Sequence, residues 1–224
     1  MPRLTLFNRW RSSCSHRARI ALALKGLEYE YVPVRADVAD DAHGERSPTG
    51  YVPALAIDGV TYVESVAIIE LLEERFPTPP LYPGDAHGRA RVRSLVEIVN
   101  SGIQPLQNSS VLAHVAQVTG DPVSSSDWMK HFIARGLAAL ERAMAMNARE
   151  GVVGPYAYGE TPTAADVFLV PQVVNAKRGA MDLAPYPRVA ACFDAAMQLE
   201  AFQTAAPENQ VDADVGADAV KSAR

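Results

Sequence analysis

At 224 residues, with 48% hydrophobic and 21% charged positions, the chain can bury a sizeable core in one large domain or two small ones. A net charge of −5 without a dense Lys/Arg run argues against a nucleic-acid or anionic-membrane surface, and leaves room for a local basic pocket that takes an acidic ligand. Two distant cysteines, Cys14 and Cys192, together with the lack of a secretory segment or a long uncharged apolar run, point to a reduced cytoplasmic protein with free thiols.

The chain opens with Leu4-Thr5-Leu6-Phe7, which alternates as a strand does. Residues 11–17 follow and lead into an apolar-periodic helix that Gly26 is placed to end. The hydroxyls of Ser12, Ser13 and Ser15 and the thiol of Cys14 therefore gather at a helix start. Unpaired backbone N–H groups and the positive end of the helix dipole favour an anion there, whether the thiolate of Cys14 or that of a bound thiol. An ordinary Ser N-cap beside a structural cysteine accounts for the same residues, and the segment alone does not choose. Residues 29–34 read as a second strand, at the spacing of a βαβ unit. The polar residues 35–50 read as a loop or a short helix. Residues 51–57 and 60–63 flank Asp58-Gly59, a pair that supplies the positive φ a hairpin turn requires. Ser65 is an N-cap candidate for a helix whose face carries Ile68, Ile69, Leu72 and Phe76, and Pro77 stops it. The proline-rich stretch 77–84 separates this α/β half from one without strand alternation, which makes it a domain boundary.

Residues 87 to about 117 are helix-forming, with a break or kink at Pro105. After Gly120-Asp121-Pro122 a helix is expected over 126–146, with Trp128, Phe132, Leu137, Leu140 and Met144 as core contacts. Thr163 and Asp166 form a variant capping box, so Asp166 reads as structural rather than catalytic. A last helix covers about 188–199, and the Glu, Asp, Ala and Gly from Pro207 onward read as a disordered tail.

The βαβ unit, the Val52-Pro53 strand start, the Glu64-Ser65 helix start, the proline linker and the helical second half resemble the cytosolic glutathione transferases. More narrowly, Ser12-Ser13-Cys14-Ser15, Ile103-Gln104-Pro105-Leu106-Gln107-Asn108, Val170-Pro171-Gln172-Val173 and residues 182–187 are similar to the zeta class, which contains the maleylacetoacetate and maleylpyruvate isomerases. The resemblance implies an α/β thioredoxin-like N-terminal domain at 1–82 that binds glutathione, an all-helical substrate-binding domain at 87–206, a tail at 207–224, and a homodimer.

It also implies roles. Ser12, Ser13 and Cys14 serve the thiolate, with Ser13 the leading candidate. Ser15, His16 and Arg17 belong to the same cofactor-binding segment, although packing suits His16 as well. Val52, before a cis Pro53, pairs its backbone with the cysteinyl part of glutathione; Glu64 and Ser65 hold the γ-glutamyl end, with Glu64 where zeta members carry Gln. Gln104, Asn108, Ser109 and Ser110 match positions near the glutathione site, though each alone would pass for a solvated helix residue. Arg178 and Arg11 are candidates for the substrate's carboxylates, since a dicarboxylate-like acid calls for more than one cation. Glutathione is then a cofactor for isomerising a small acidic substrate, and no metal is called for. Two other readings fit the same residues: a broad transferase acting on α-halo acids, and a glutathione-binding protein without turnover. Residues 35–50 also look several residues shorter than the family's second-helix region.

Overall fold

The computed structural model describes residues 2–34 and 41–213. The chain forms two compact units, one of Met1–Pro79 with Gln198–Arg224 and one of Pro80–Met197.

In the first unit, β1 (Leu4–Asn8) buries alternate side chains, Leu4, Leu6 and Asn8, as the period of two requires. Helix α1 (Ser13–Leu24) crosses over to β2 (Glu30–Pro33), which pairs parallel to β1 with Leu6 opposite Tyr31. Strands β3 (Ala54–Ile57) and β4 (Val60–Val63) add antiparallel, and the sheet order is β2-β1-β3-β4. The hairpin turns on Asp58 at φ 52° and Gly59 at φ 88°, the expected left-handed pair. Helix α1 ends as its sequence indicates: Gly26 takes φ 63°, its N–H donates to Ala23 O, and the Leu27 N–H reaches Leu22 O. Within residues 35–50, a short helix α2 (Asp41–Arg46) is present, and 35–40 lie outside the described residues.

Helix α3 (Ser65–Arg75) buries Ile68, Ile69 and Leu72, whereas Phe76 lies past its end and is only half-buried. The wholly buried Lys25 ammonium donates to the Glu73 carboxylate at 2.9 Å, Phe76 O at 2.6 Å and Pro79 O at 3.0 Å. One charge thereby satisfies both the end of α3 and the start of the linker, as a buried ammonium must.

The second unit holds α4 (Ala86–Asn100), α5 (Ser109–Thr119), α6 (Pro122–Arg149), α7 (Ala164–Arg178) and α8 (Pro187–Ala196). The helical stretch breaks before Pro105, and Gln104–Gln107 form a 3₁₀ turn. Ile103 fits where α6 carries Gly136: a Cβ there would lie 2.1 Å from the Ile103 side chain. Helix α6 is longer than its apolar period suggests because Asp121 caps it and Pro122 fills the first turn, where a missing N–H costs nothing. Its core face is Ile133, Gly136, Leu137, Leu140 and Met144. Trp128, expected in that core, is exposed and donates its indole N–H to Leu106 O, while Phe132 is half-buried. Helix α7 is buried continuously from Ala164 to Val173, with Asp166 and Gln172 buried among its apolar residues.

The end of the chain differs from its expected form. Helix α8 stops at Ala196, and a separate α9 (Glu200–Thr204) belongs to the first unit rather than the helical one. Within 207–213, a 3₁₀ turn at Pro207–Asn209 is tied back by Asn209 Nδ2 to Gln203 O and Gln210 Nε2 to Thr204 O. Side-chain amides hold this piece by hydrogen bonds, which a count of large apolar residues does not register. Residues 214–224 lie outside the described residues.

Candidate functional site

The turn between β1 and α1 carries the central candidates. Ser12 is the N-cap, and its hydroxyl accepts from the Ser15 N–H. Ser13 and Cys14 stand in the first helical turn, half-exposed, and Cys14 is a free thiol. From Ser15 to Leu22 every residue is buried, so accessibility ends sharply at Cys14.

Ser15, His16 and Arg17, expected in the cofactor-binding segment, all lie on the buried side of that boundary. Ser15 is wholly buried and its hydroxyl accepts from the Arg9 N–H at 3.3 Å, which makes it part of the turn's scaffold. His16 is buried on the packed side of the helix. Arg17, only 1% exposed, donates from Nη1 to Ser65 Oγ at 3.2 Å. It positions Ser65 from beneath. A residue type suited to an anionic ligand was visible in the sequence; that its guanidinium is internal was not, because helix α1 packs against both α3 and α9.

The Arg17 to Ser65 bond ties the helix bearing Ser12, Ser13 and Cys14 to the start of α3. Ser65 is the first residue of α3, and the cap position belongs to Glu64, which has φ 68° and makes no side-chain cap bond. A non-glycine residue in that region is held there by its surroundings and is a frequent mark of a functional segment. The Glu64 side chain is exposed, so its carboxylate can meet a cation, while the free N–H groups of the first α3 turn suit an anion. The Val52–Pro53 bond is cis, as is Thr78–Pro79. Because β3 starts at Ala54, Val52 lies beyond the sheet ladder.

In the helical unit, Asn108 caps α5 and its side-chain oxygen accepts from both the N–H and the hydroxyl of Ser110. Ser109 and Ser110 are exposed and Gln104 is half-buried. Asn108 and Ser110 thus have a capping duty. The buried amide is instead Gln107, which exchanges hydrogen bonds of 2.6 and 3.2 Å with Gln172 on α7. Arg178 closes α7 and is exposed. Arg11 is exposed in the first unit, its guanidinium 5.4 Å from the Trp10 ring centre.

Asp166 is structural as expected. Its carboxylate accepts from the N–H groups of Ala157 and Thr163, the Thr163 hydroxyl and the Cys192 thiol. Burial nevertheless pushes its carboxyl upward, and burial likewise raises the Cys192 thiol well above its ordinary range.

Two groups near the candidate turn were not among the expected site residues. Buried Arg19 donates to Ala205 O, Asn8 Oδ1, Arg9 O and Trp10 O. Asp212 accepts from the Trp10 N–H and from the Tyr31 hydroxyl.

Comparison with known proteins agrees with this architecture. The glutathione S-transferase N-terminal domain family matches residues 6–80. A maleylpyruvate isomerase from Ralstonia is 43% identical over 213 residues, covering 93% of this chain and 99% of its own. A holo structure of maleyl pyruvate isomerase, described as a bacterial zeta-class glutathione S-transferase, superposes with a TM-score of 0.88 at 43% identity, covering 93% and 99% of the two chains. The maleylacetoacetate isomerase of Anaeromyxobacter dehalogenans has been solved with glutathione in its active site (46% identity, TM-score 0.85, 95% and 98% coverage). A second structure of it holds dicarboxyethyl glutathione and citrate (46% identity, TM-score 0.83, 95% and 94% coverage). With such identity spread over nearly the whole length of both chains, on a thioredoxin-like unit joined to a helical one, the chain belongs to the zeta-class glutathione transferase family of maleylacetoacetate and maleylpyruvate isomerases.

Proposed function

We propose that the protein is a glutathione-dependent cis-trans isomerase of maleylacetoacetate or maleylpyruvate, acting in the cytoplasm as a homodimer. The observation that carries this reading is the Arg17 to Ser65 bond, which links two helix N-termini in one unit, one with half-exposed Ser13 and Cys14 and one with exposed Glu64. The donor set fits glutathione group by group. Glu64 suits its ammonium, Ser65 and the first-turn N–H groups of α3 suit the adjacent carboxylate, Val52 offers backbone beyond the ladder, and the start of α1 suits a thiolate. Bound glutathione supplies a thiolate for reversible addition to the cis double bond of the acid, which permits rotation about that bond.

The protein's own residues create the conditions for that chemistry. The N–H groups at the start of α1 and the Ser13 hydroxyl stabilise negative sulfur, while Arg17 keeps Ser65 in place without reaching solvent. Arg11 and Arg178 are assigned to the substrate's carboxylates, and Gln104, Asn108, Ser109 and Ser110 to the outer part of the glutathione site. Among the described residues no helix is long and apolar enough to cross a membrane. The free thiols of Cys14 and Cys192 suit a reducing compartment.

The deciding assay supplies each acid with substoichiometric glutathione. Trans product beyond one turnover per glutathione is the expected result; loss of one thiol per turnover would identify a conjugating transferase, and no reaction would leave a binding protein. For Arg178→Lys, KM for the acid is expected to rise about tenfold with glutathione affinity unchanged, because an ammonium cannot reproduce a bidentate guanidinium fork. An unchanged KM would return Arg178 to a helix-end role, in which either cation suits the dipole. Light scattering is expected to give twice the chain mass of 24.1 kDa, as a closed C2 pair; a monomer would contradict the homodimer.

A further inference from the structure

The turn that presents Ser12, Ser13 and Cys14 is held from both sides of the Trp10 backbone. On one side, the Arg19 guanidinium donates to Trp10 O at 3.2 Å and to Arg9 O at 3.4 Å. On the other, the Trp10 N–H donates to Asp212 Oδ2 at 3.2 Å, across 202 residues of sequence. The second Asp212 oxygen takes the Tyr31 hydroxyl from β2, the strand beside β1. The segment that brings Asp212 there is itself anchored: Arg19 Nε donates to Ala205 O at 3.0 Å, Ala205, Ala206 and Pro207 are buried, and Gln210 Nε2 binds Ala206 O at 2.8 Å. From Trp10 the path to the cap is two residues, and the Ser12 N–H closes it by bonding Arg9 O at 3.1 Å.

We propose that Asp212 is a positioning residue for the thiolate site, its carboxylate fixing the Trp10 peptide and through it the orientation of the Ser12-Ser13 turn. This rests on the isomerase reading above. The turn has no regular secondary structure of its own, and a backbone N–H facing the chain's end must find an acceptor or lose its hydrogen bond. A carboxylate is a strong acceptor, and with Tyr31 on its other oxygen it has little rotational freedom. Burial first, and the bond to Asp212 second, raise the Tyr31 hydroxyl far above its ordinary range, so it remains a donor at any working pH. Donors aimed at developing charge work only when held in place, so loosening a turn beside the sulfur should tell on turnover more than on binding.

The chain has two tryptophans, and Trp128→Phe leaves Trp10 as the sole fluorophore. In that background, Asp212→Ala is expected to raise the acrylamide quenching constant of Trp10 about twofold in the unliganded protein, as the turn loosens. In the full chain with its tryptophans intact, Asp212→Ala is expected to raise the thiol pKa of bound glutathione and to lower kcat about tenfold with little change in KM. Asp212→Asn keeps an acceptor for Trp10 and a polar partner for Tyr31, and should restore kcat to within about threefold of wild type. If Asp212→Ala fails to fold by thermal melt, Asp212→Asn and Tyr31→Phe carry the test, the latter with a smaller rise in quenching. Unchanged Trp10 quenching would overturn the proposal. So would increased quenching with unchanged thiol pKa and kcat, which would reduce Asp212 to an anchor for the tail. A wild-type complex whose thiol titrates as it does in water would instead overturn the functional reading itself, and is recognised before any variant is made.

Discussion

Replacing Ser13 with alanine is expected to lower kcat for isomerisation by about 100-fold, the range seen when one preorganised donor to a developing anion is removed. The structure separates the two neighbouring serines. Ser12 accepts the Ser15 N–H and caps α1, so its loss falls first on stability, by about 1 kcal/mol. Ser13 sits inside the first turn, half-exposed, where its hydroxyl can donate to sulfur beside the free N–H groups. Its removal should therefore leave the melting temperature nearly unchanged while raising the pKa of the bound thiol, read from thiolate absorbance against pH. Wild-type turnover in Ser13→Ala would move the role to Ser12 or Cys14.

Arg19→Met is expected to destabilise the protein by about 3–5 kcal/mol, because it takes the guanidinium from the buried acceptors Ala205 O and Asn8 Oδ1 and from the half-buried Trp10 O. Arg19 is 1% exposed, and its guanidinium serves Ala205 O, Asn8 Oδ1, Arg9 O and Trp10 O. Methionine roughly fills the volume of the stem, so the cost is one of lost hydrogen bonds rather than of a cavity. Urea unfolding with an unchanged m-value measures it. A loss below about 1 kcal/mol would mean that water enters and satisfies these carbonyls. The same substitution frees the strap at Ala205 and the turn at Trp10 together, so residual activity in the folded fraction should also fall.

The elements with local causes were legible in the chain. Alternation marked β1, Asp58-Gly59 marked the hairpin, Gly26 and Gly120 marked helix ends, and the Thr163 to Asp166 spacing marked the capping box. In each case the residues that decide the geometry lie within a few positions of one another, where steric limits on φ and short-range hydrogen bonds act. The start of α1 at Ser12-Ser13-Cys14 was legible for the same reason, since a helix start is a local event, whereas Ser65, expected as an N-cap, is the first residue of α3 and Glu64 takes the cap position without a side-chain bond.

Tertiary structure alone decided which polar groups face inward and what meets them. Arg17 and Arg19 look like surface cations on a helix, yet both are buried because α1 is covered on several sides. Gln107 finds Gln172 across 65 positions, and Asp212 finds Tyr31 and Trp10 across 181 and 202. The acidic, weakly apolar composition from Pro207 onward read as disorder, and the contacts of the described residues 207–213 include a hydrogen bond from the distant Trp10 turn that composition does not register. A buried charge or amide is stable only beside its partner, and that partner is selected by the packed arrangement of elements, which no pattern confined to neighbouring residues encodes.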